Sequence, residues 1–141
     1  MKKAIIGLMS LIFLSACASA PSSIQKRELE VYKQQGLMVE KKNPTIGIML
    51  GFLPGGGSFY VHEYGCGIID LLLWPLSTLW DPVSGANGVN SMNYTATKTY
   101  VNQLKQKELD ELQKRLHLSE IDIKQYLIEK DNIERKYSGD L

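Results

Sequence analysis

The sequence predicts a mainly α-helical protein, with a glycine-rich apolar helical hairpin followed by a charged helix-turn-helix tail. Two observations predict this class. Residues 44–97 contain no Lys or Arg but hold nine of the twelve glycines and four of the five prolines. Residues 98–141 carry nine basic and nine acidic side chains around apolar residues at helical spacing. The 141-residue length leaves room for one small domain or two modules, and the net charge of +1 argues against a nucleic-acid binder.

The N-terminus has the pattern of an export signal. Lys2 and Lys3 precede an apolar run at 4–14, which is too short to span a bilayer but fits a signal-peptide core. Leu14-Ser15-Ala16-Cys17 follows and resembles the lipobox of bacterial lipoproteins. The resemblance implies cleavage between Ala16 and Cys17, acylation of Cys17 and, since Ala18 is not Asp, an outer-membrane location on the periplasmic side. An ordinary signal peptide with an incidental cysteine is the alternative.

Residues 17–43 are expected to form a flexible, lipidated tether that contains one short helix. The small and polar residues at 18–23 are typical of a spacer. A helix is predicted over 24–35, with Ser23 as its N-cap and Gly36 at its end.

The central region, 44–83, is predicted to be an apolar helical hairpin. Apolar runs at 46–53 and 65–80 flank a turn at Pro54-Gly55-Gly56-Gly57, which the Phe59-Tyr60 pair follows. Helices of about 13 Å and 24 Å are too short to cross a hydrocarbon core of about 30 Å. The hairpin is expected either to lie at a membrane interface or to form a small soluble core. In the first case Tyr60, Tyr64, Trp74 and Trp80 would suit the headgroup layer.

The same region resembles the bacterial membrane-hairpin family with two transmembrane helices. The residues that carry the resemblance are Phe52-Leu53, the glycines at 55–57, Phe59-Tyr60, Gly65, Gly67-Ile68-Ile69 and Leu71-Leu72. The resemblance implies a membrane crossing. Pro54, Asp70 and the shortness of the first run depart from that pattern.

Candidate chemical groups are few. Ser58, His62 and Asp70 are types used in nucleophilic catalysis, but no Gly-x-Ser-x-Gly motif surrounds the serine. His62, Glu63 and Cys66 are too few for a structural zinc site. We therefore expect no enzyme activity, no metal and no cofactor. Cys66 is expected to be buried rather than paired between chains. Asp70 needs a partner or a shifted pKa, or it points to solvent or to the polar turn.

Residues 84–96 are predicted to be a loop, because they are rich in Gly, Asn and Ser. A helical hairpin is predicted over 97–137, with a break at 117–122 and with Ser119 or Asp122 as the cap of its second helix. This tail resembles the bacterial short C-terminal domain in the residues Leu112, Leu116, Ile121-Asp122, Tyr126, Lys130 and Ile133. The resemblance implies an interaction or oligomerisation module. A plain amphipathic hairpin that folds onto the centre is the alternative.

These features predict a membrane-anchored, non-enzymatic envelope lipoprotein that mediates protein–protein or protein–membrane contact. Its expected partners are the membrane, through acyl chains on Cys17, and either an envelope protein or a second copy bound through the C-terminal helices. No nucleic acid is expected. A protein that handles a lipid or another apolar ligand is the alternative function. A small hydrolase, which would need Ser58, His62 and Asp70 to converge, comes third.

Overall fold

The computed structural model describes residues 20–139, and this part of the chain is mainly α-helical without a strand. The predicted signal peptide and lipobox, with Ala16 and Cys17, lie outside the described residues. Within that range there are six α-helices and one 3-10 turn: α1 (Ser23–Gln34), α2 (Pro44–Leu50), α3 (Gly56–Tyr60), α4 (Tyr64–Leu72), the 3-10 turn Leu76–Leu79, α5 (Asp81–His117) and α6 (Ile123–Lys136).

The chain divides into two compact units. The central unit comprises residues 40–93 with the short stretch 20–22, and the tail unit comprises residues 23–39 and 94–139. The helix predicted in the tether is α1, and it belongs to the tail unit rather than to a flexible spacer. The reason is Tyr32, which is 1% exposed and packs in one core with Val101 and Tyr137.

Three ends of helices in the tail unit follow local rules. After α1, the N–H of Leu37 donates to the carbonyl of Tyr32, and Gly36 takes a positive φ of 70°. This is the glycine-terminated helix end that the sequence predicts. After α5, Ser119 takes a φ of 58° in the same role, so a serine stands where glycine is favoured. The N-cap of α6 is Asp122, whose carboxylate accepts the N–H of Gln125 at 2.7 Å.

The prediction of a loop at 84–96 is wrong, because these residues form part of the 37-residue helix α5. Small residues let this helix pack closely inside the central unit. A methyl group on Gly85 would lie 2.6 Å from the carbonyl oxygen of Gly47, and one on Gly88 would lie 2.8 Å from Val61. The buried Asn93 accepts the backbone N–H of Lys41 at 2.9 Å. Packing therefore outweighs the low helix propensity of Gly, Asn and Ser.

The central region contains three short helices where the sequence predicts a hairpin of two. Asn43 caps α2 by accepting the N–H of Thr45. Gly55 has a φ of 68°, as the turn requires, but Gly56 and Gly57 already belong to α3. Helix α4 stops at Leu72, three positions before Pro75, so the second apolar run is not one continuous helix. Among residues 20–139, no helix has both the length and the apolar character needed to cross a membrane.

Candidate functional site

A cluster of polar side chains lies inside the central unit, and we call it the carboxylate cluster. It consists of Ser58 on α3, Asp70 on α4, Asp81 at the start of α5, and the indole N–H of Trp80. Ser58, Asp70 and Asp81 are each at most 1% exposed. Asp70 stands out in the sequence as a carboxylate within an apolar run, whereas Asp81-Pro82 has the composition of a turn. An Asp followed by Pro is also a signal for the start of a helix, and this signal places Asp81 at the N-terminus of a helix.

The Ser58 hydroxyl joins the two carboxyl groups. Its Oγ lies 2.8 Å from Oδ2 of Asp70 and 2.9 Å from Oδ1 of Asp81. A hydroxyl has one proton and can donate it to only one of these oxygens. The other short contact therefore needs a proton from a carboxylic acid, which donates to the serine oxygen. The geometry fits a pair of aspartates that holds one proton between them.

Further hydrogen bonds reach the carboxyl groups of both Asp70 and Asp81. Asp81 accepts the backbone N–H groups of Gly57 at 3.2 Å and of Ser58 at 3.0 Å. Asp70 accepts the indole N–H of Trp80 at 2.7 Å. Burial raises the pKa of Asp81 above its ordinary value of 3.8. The hydrogen bond from the Ser58 hydroxyl opposes this rise, the negative charge of Asp70 adds to it, and the two backbone donors oppose it.

Ser58 and Asp70 lie together, but the third candidate catalytic residue does not join them. The imidazole of His62 has Nε2 at 3.1 Å from Nζ of Lys42 and Nδ1 at 3.1 Å from the hydroxyl of Tyr64. His62 is exposed, whereas Ser58 is buried at 1% exposure. The imidazole and the buried serine therefore have separate hydrogen-bond partners, and Ser58, His62 and Asp70 do not form one catalytic arrangement.

The candidate metal ligands are also separated by their environments. Glu63 is exposed, and Cys66 is buried at 6% exposure, as predicted for this thiol. Across residues 20–139, no three side chains of His, Cys, Asp or Glu come together in a way that could hold a metal ion.

The aromatic and glycine residues of the turn serve the packing of the central unit. The ring of Phe59 lies against Gly67, where a methyl group would approach it to 2.7 Å. The backbone carbonyl of Tyr60 accepts a hydrogen bond from the ammonium group of Lys42, which also lies 4.6 Å from the centre of the Tyr60 ring. Gly57 gives room for α5, since a methyl group there would lie 2.7 Å from the carbonyl oxygen of Asp81.

The outside of the central unit carries an extended set of exposed apolar side chains. Of the 21 large hydrophobic residues exposed among residues 20–139, fifteen lie between positions 46 and 83. We call this set the apolar surface, and it includes Trp74 at 56% exposure. Its members are Ile46, Ile48, Met49, Phe52, Leu53, Phe59, Tyr64, Ile68, Leu71, Leu72, Leu73, Trp74, Leu76, Leu79 and Val83.

The polarity of the central unit is thus the reverse of that in a water-soluble domain. Its buried polar residues are Ser58, Asp70, Ser77, Asp81 and Asn93, and its buried apolar residues are Val61, Cys66 and Val89. Of the three acidic residues at 44–97, only Glu63 is exposed. Acidic side chains are therefore buried, while large apolar side chains face outward.

Comparison of the chain with the profiles of known protein families, with curated proteins and with solved structures gave no match.

Proposed function

We propose that this protein is a non-enzymatic lipoprotein of the cell envelope that is held at the outer membrane by acyl chains on Cys17. Its task in this proposal is contact with the membrane or with another envelope protein, and the central unit makes that contact. The observation that carries the proposal is the apolar surface at 46–83. Soluble monomers rarely expose contiguous apolar patches larger than a few hundred Å², and larger patches mark interaction sites.

The alternative of a pocket for an apolar ligand has less support. Two cavities of the tail unit have volumes of about 320 Å³ and 500 Å³. Both are lined by Glu111 and Arg115, together with further charged side chains. Pockets for apolar ligands are lined predominantly by hydrophobic and aromatic residues. These cavities therefore favour no lipid-handling role.

The attachment can be tested with the variant Cys17→Ser, expressed in a bacterium that processes lipoproteins. We expect the native chain to incorporate labelled palmitate and to lose its signal peptide. The variant should remain an unlabelled precursor, because the alkylated thiol is missing. Cys66→Ser is the matched control and should still be labelled. Palmitate incorporation into Cys17→Ser would contradict the proposed attachment.

The contact itself can be tested by photo-crosslinking in the cell. Leu72 and Leu79 are both 77% exposed on the apolar surface, and a photoreactive amino acid at either position should give crosslinked products. Leu118, which is 59% exposed in the tail unit, is the matched control position. Equal crosslinking at all three positions, or none at Leu72 and Leu79, would contradict a contact made by the apolar surface.

A further inference from the structure

We infer that the apolar surface of the central unit inserts into a single leaflet of a lipid bilayer, without crossing it. This inference deepens the proposed function and rests on it for the location of the chain at a membrane. Residues 71–79 point toward the acyl chains, and the polar edge formed by Lys42, His62 and Glu63 stays at the headgroups. Four independent features of the central unit carry the inference.

The first feature is the reversed polarity. In lipid, an apolar side chain gains nothing from being buried in protein, while an exposed carboxylate is costly. The central unit fits this environment, because Asp70 and Asp81 are at most 1% exposed while Leu72 and Leu79 are 77% exposed. Ser58 and Trp80 complete the hydrogen bonds of both acids inside the fold.

The second feature is a polarity gradient along α4. The exposed Glu63 directly precedes the helix, and next to it His62 lies 3.1 Å from the ammonium group of Lys42. At the other end of the helix, Leu71 and Leu72 are 53% and 77% exposed. The apolar character continues into Leu73, Trp74, Leu76 and Leu79. The gradient therefore assigns one end of the helix to water and the other to hydrocarbon.

The third feature is length. Helix α4 has nine residues, and at 1.5 Å rise per residue it extends about 13 Å. One leaflet contributes about 15 Å to a hydrocarbon core of about 30 Å. A helix that starts at the headgroups with Tyr64 therefore reaches the middle of the bilayer with Leu72 and does not reach the opposite surface.

The fourth feature is the pairing of backbone groups at the apolar end. A non-helical segment in hydrocarbon must satisfy its polar groups internally. Four backbone N–H groups of residues 73–80 donate to carbonyl groups three or four positions earlier: Leu73 to Ile69, Leu76 to Leu73, Thr78 to Pro75 and Trp80 to Ser77. The hydroxyl of Thr78 donates to the carbonyl of Pro75 at 2.7 Å. Four backbone N–H groups of the turn after α4 are thus paired internally, as lipid requires, whereas the buried hydroxyl of Ser77 finds no partner among the described residues.

A protein partner fits these observations less well than lipid does. Protein interfaces combine an apolar core with a polar rim and carry about one hydrogen bond per 100–200 Å². The apolar surface extends over α2, α4, the 3-10 turn and the start of α5, and Glu63 is the only exposed acidic residue in 44–97. Such a surface offers a partner chain few polar groups to recognise.

The test uses residues 17–141 with Cys17→Ser, which carry neither the apolar run at 4–14 nor acyl chains, and vesicles of phosphatidylethanolamine and phosphatidylglycerol. The chain has two tryptophans, and Trp80 must stay because its indole N–H donates to the buried Asp70. The Trp74 signal is therefore taken as the difference between this chain and its Trp74→Phe variant. With vesicles, we expect Trp74 fluorescence to shift to the blue and to become several-fold less sensitive to acrylamide in the water. Nitroxide groups on the lipid acyl chains should quench it.

Charge substitutions provide the matched comparison. Leu72→Glu and Leu79→Glu should each weaken vesicle binding about tenfold or more, because a carboxylate enters hydrocarbon. Leu118→Glu, in the tail unit, should leave binding unchanged. Circular dichroism verifies that each variant keeps its helix content. In the Trp74→Phe variant, a tryptophan introduced by Tyr64→Trp should lie nearer the headgroups than Trp74 does.

Failure of the inference and failure of the proposed function give different results. If Trp74 is equally accessible to acrylamide with and without vesicles while the native chain is acylated, leaflet insertion is wrong and the lipoprotein proposal stands. If Cys17→Ser binds vesicles with Trp74 buried while the native chain carries no acyl label, the insertion stands and the lipid anchor is wrong. Protection of Trp74 that depends on protein concentration and not on vesicles would show a second copy as the occupant and overturn the inference.

Discussion

At the scale of single residues, the carboxylate cluster shows how the burial of two acids makes stability depend on pH. The Ser58 hydroxyl lies 2.8 Å from a carboxyl oxygen of Asp70 and 2.9 Å from one of Asp81, and it can donate its proton to only one of them. Both contacts are hydrogen bonds only when the pair of aspartates holds one proton. An acid whose pKa is raised by folding binds more protons in the native state than in the unfolded state. Its contribution to stability is therefore complete below its ordinary pKa and is lost as the pH rises through the raised pKa. For Asp81 this loss begins above 3.8.

The variant Asp70→Asn should imitate the state in which Asp70 and Asp81 hold one proton between them. The amide can donate to Ser58 and accept from Trp80, and it removes the charge that raises the pKa of Asp81. We expect a smaller dependence of the unfolding free energy on pH between 4 and 8. At pH 8 the variant should be more stable than the native chain, because the negative charge beside the buried Asp81 is gone. Urea unfolding in mild detergent, followed by tryptophan fluorescence, measures both quantities.

Asp70→Ala is the control, because it leaves the indole N–H of Trp80 without its acceptor in a buried site. It should cost about 1–3 kcal/mol at every pH. If Asp70→Asn were destabilised as strongly as Asp70→Ala across this pH range, the proton-sharing arrangement would be wrong.

The residue-scale features that the sequence predicts correctly are local ones. Gly36 ends α1 because a positive φ follows from glycine itself, and Asp122 caps α6 through a bond to Gln125, three positions away. The carboxylate cluster joins residues 12 and 23 positions apart, from Ser58 to Asp70 and Asp81. No local rule brings these residues together, since their contact depends on how three helices pack.

At the scale of elements, α5 shows how packing can replace helix propensity. Residues 84–96 have the composition of a loop, yet they are helical, because glycine lets the helix lie close to α2 and α3. A methyl group on Gly85 would lie 2.6 Å from the carbonyl oxygen of Gly47 and 3.0 Å from Cα of Gly57. The same glycine that lowers helix propensity is thus what the packing requires.

The substitution Gly85→Ala tests this explanation. In an open helix position, Ala in place of Gly stabilises by about 0.4–1 kcal/mol. At Gly85 we expect a loss of about 1–3 kcal/mol instead, because the added methyl group forces backbone segments apart. Gly65→Ala is the matched control, since a methyl group at this helical glycine meets nothing within 4 Å. Thermal unfolding of both variants in mild detergent should shift in opposite directions. A gain in stability for Gly85→Ala would contradict the close packing.

At the scale of the whole molecule, the two units are built on different principles. The tail unit has a core of Tyr32, Val101 and Tyr137. Its Glu28 accepts hydrogen bonds from Tyr94 at 2.5 Å and from Lys98 at 3.1 Å. These contacts, the Tyr94 hydroxyl first, lower the pKa of Glu28. The central unit instead buries acids and exposes leucines. The sequence predicts this contrast in charge, but it does not predict which side of the central helices faces outward.

Lipid should therefore stabilise one unit and not the other. In hydrogen–deuterium exchange of the full chain with Cys17→Ser, vesicles should protect the amides of residues 64–80. In that segment apolar side chains lose contact with water and the backbone opens less often. The amides of residues 102–116, in α5, should exchange at the same rate with and without vesicles, since this segment exposes no large apolar side chain. The comparison is internal to one chain, so a difference between the two segments cannot arise from sample preparation. Equal protection of both segments, or of neither, would contradict a division of the chain into a lipid-facing and a water-facing unit.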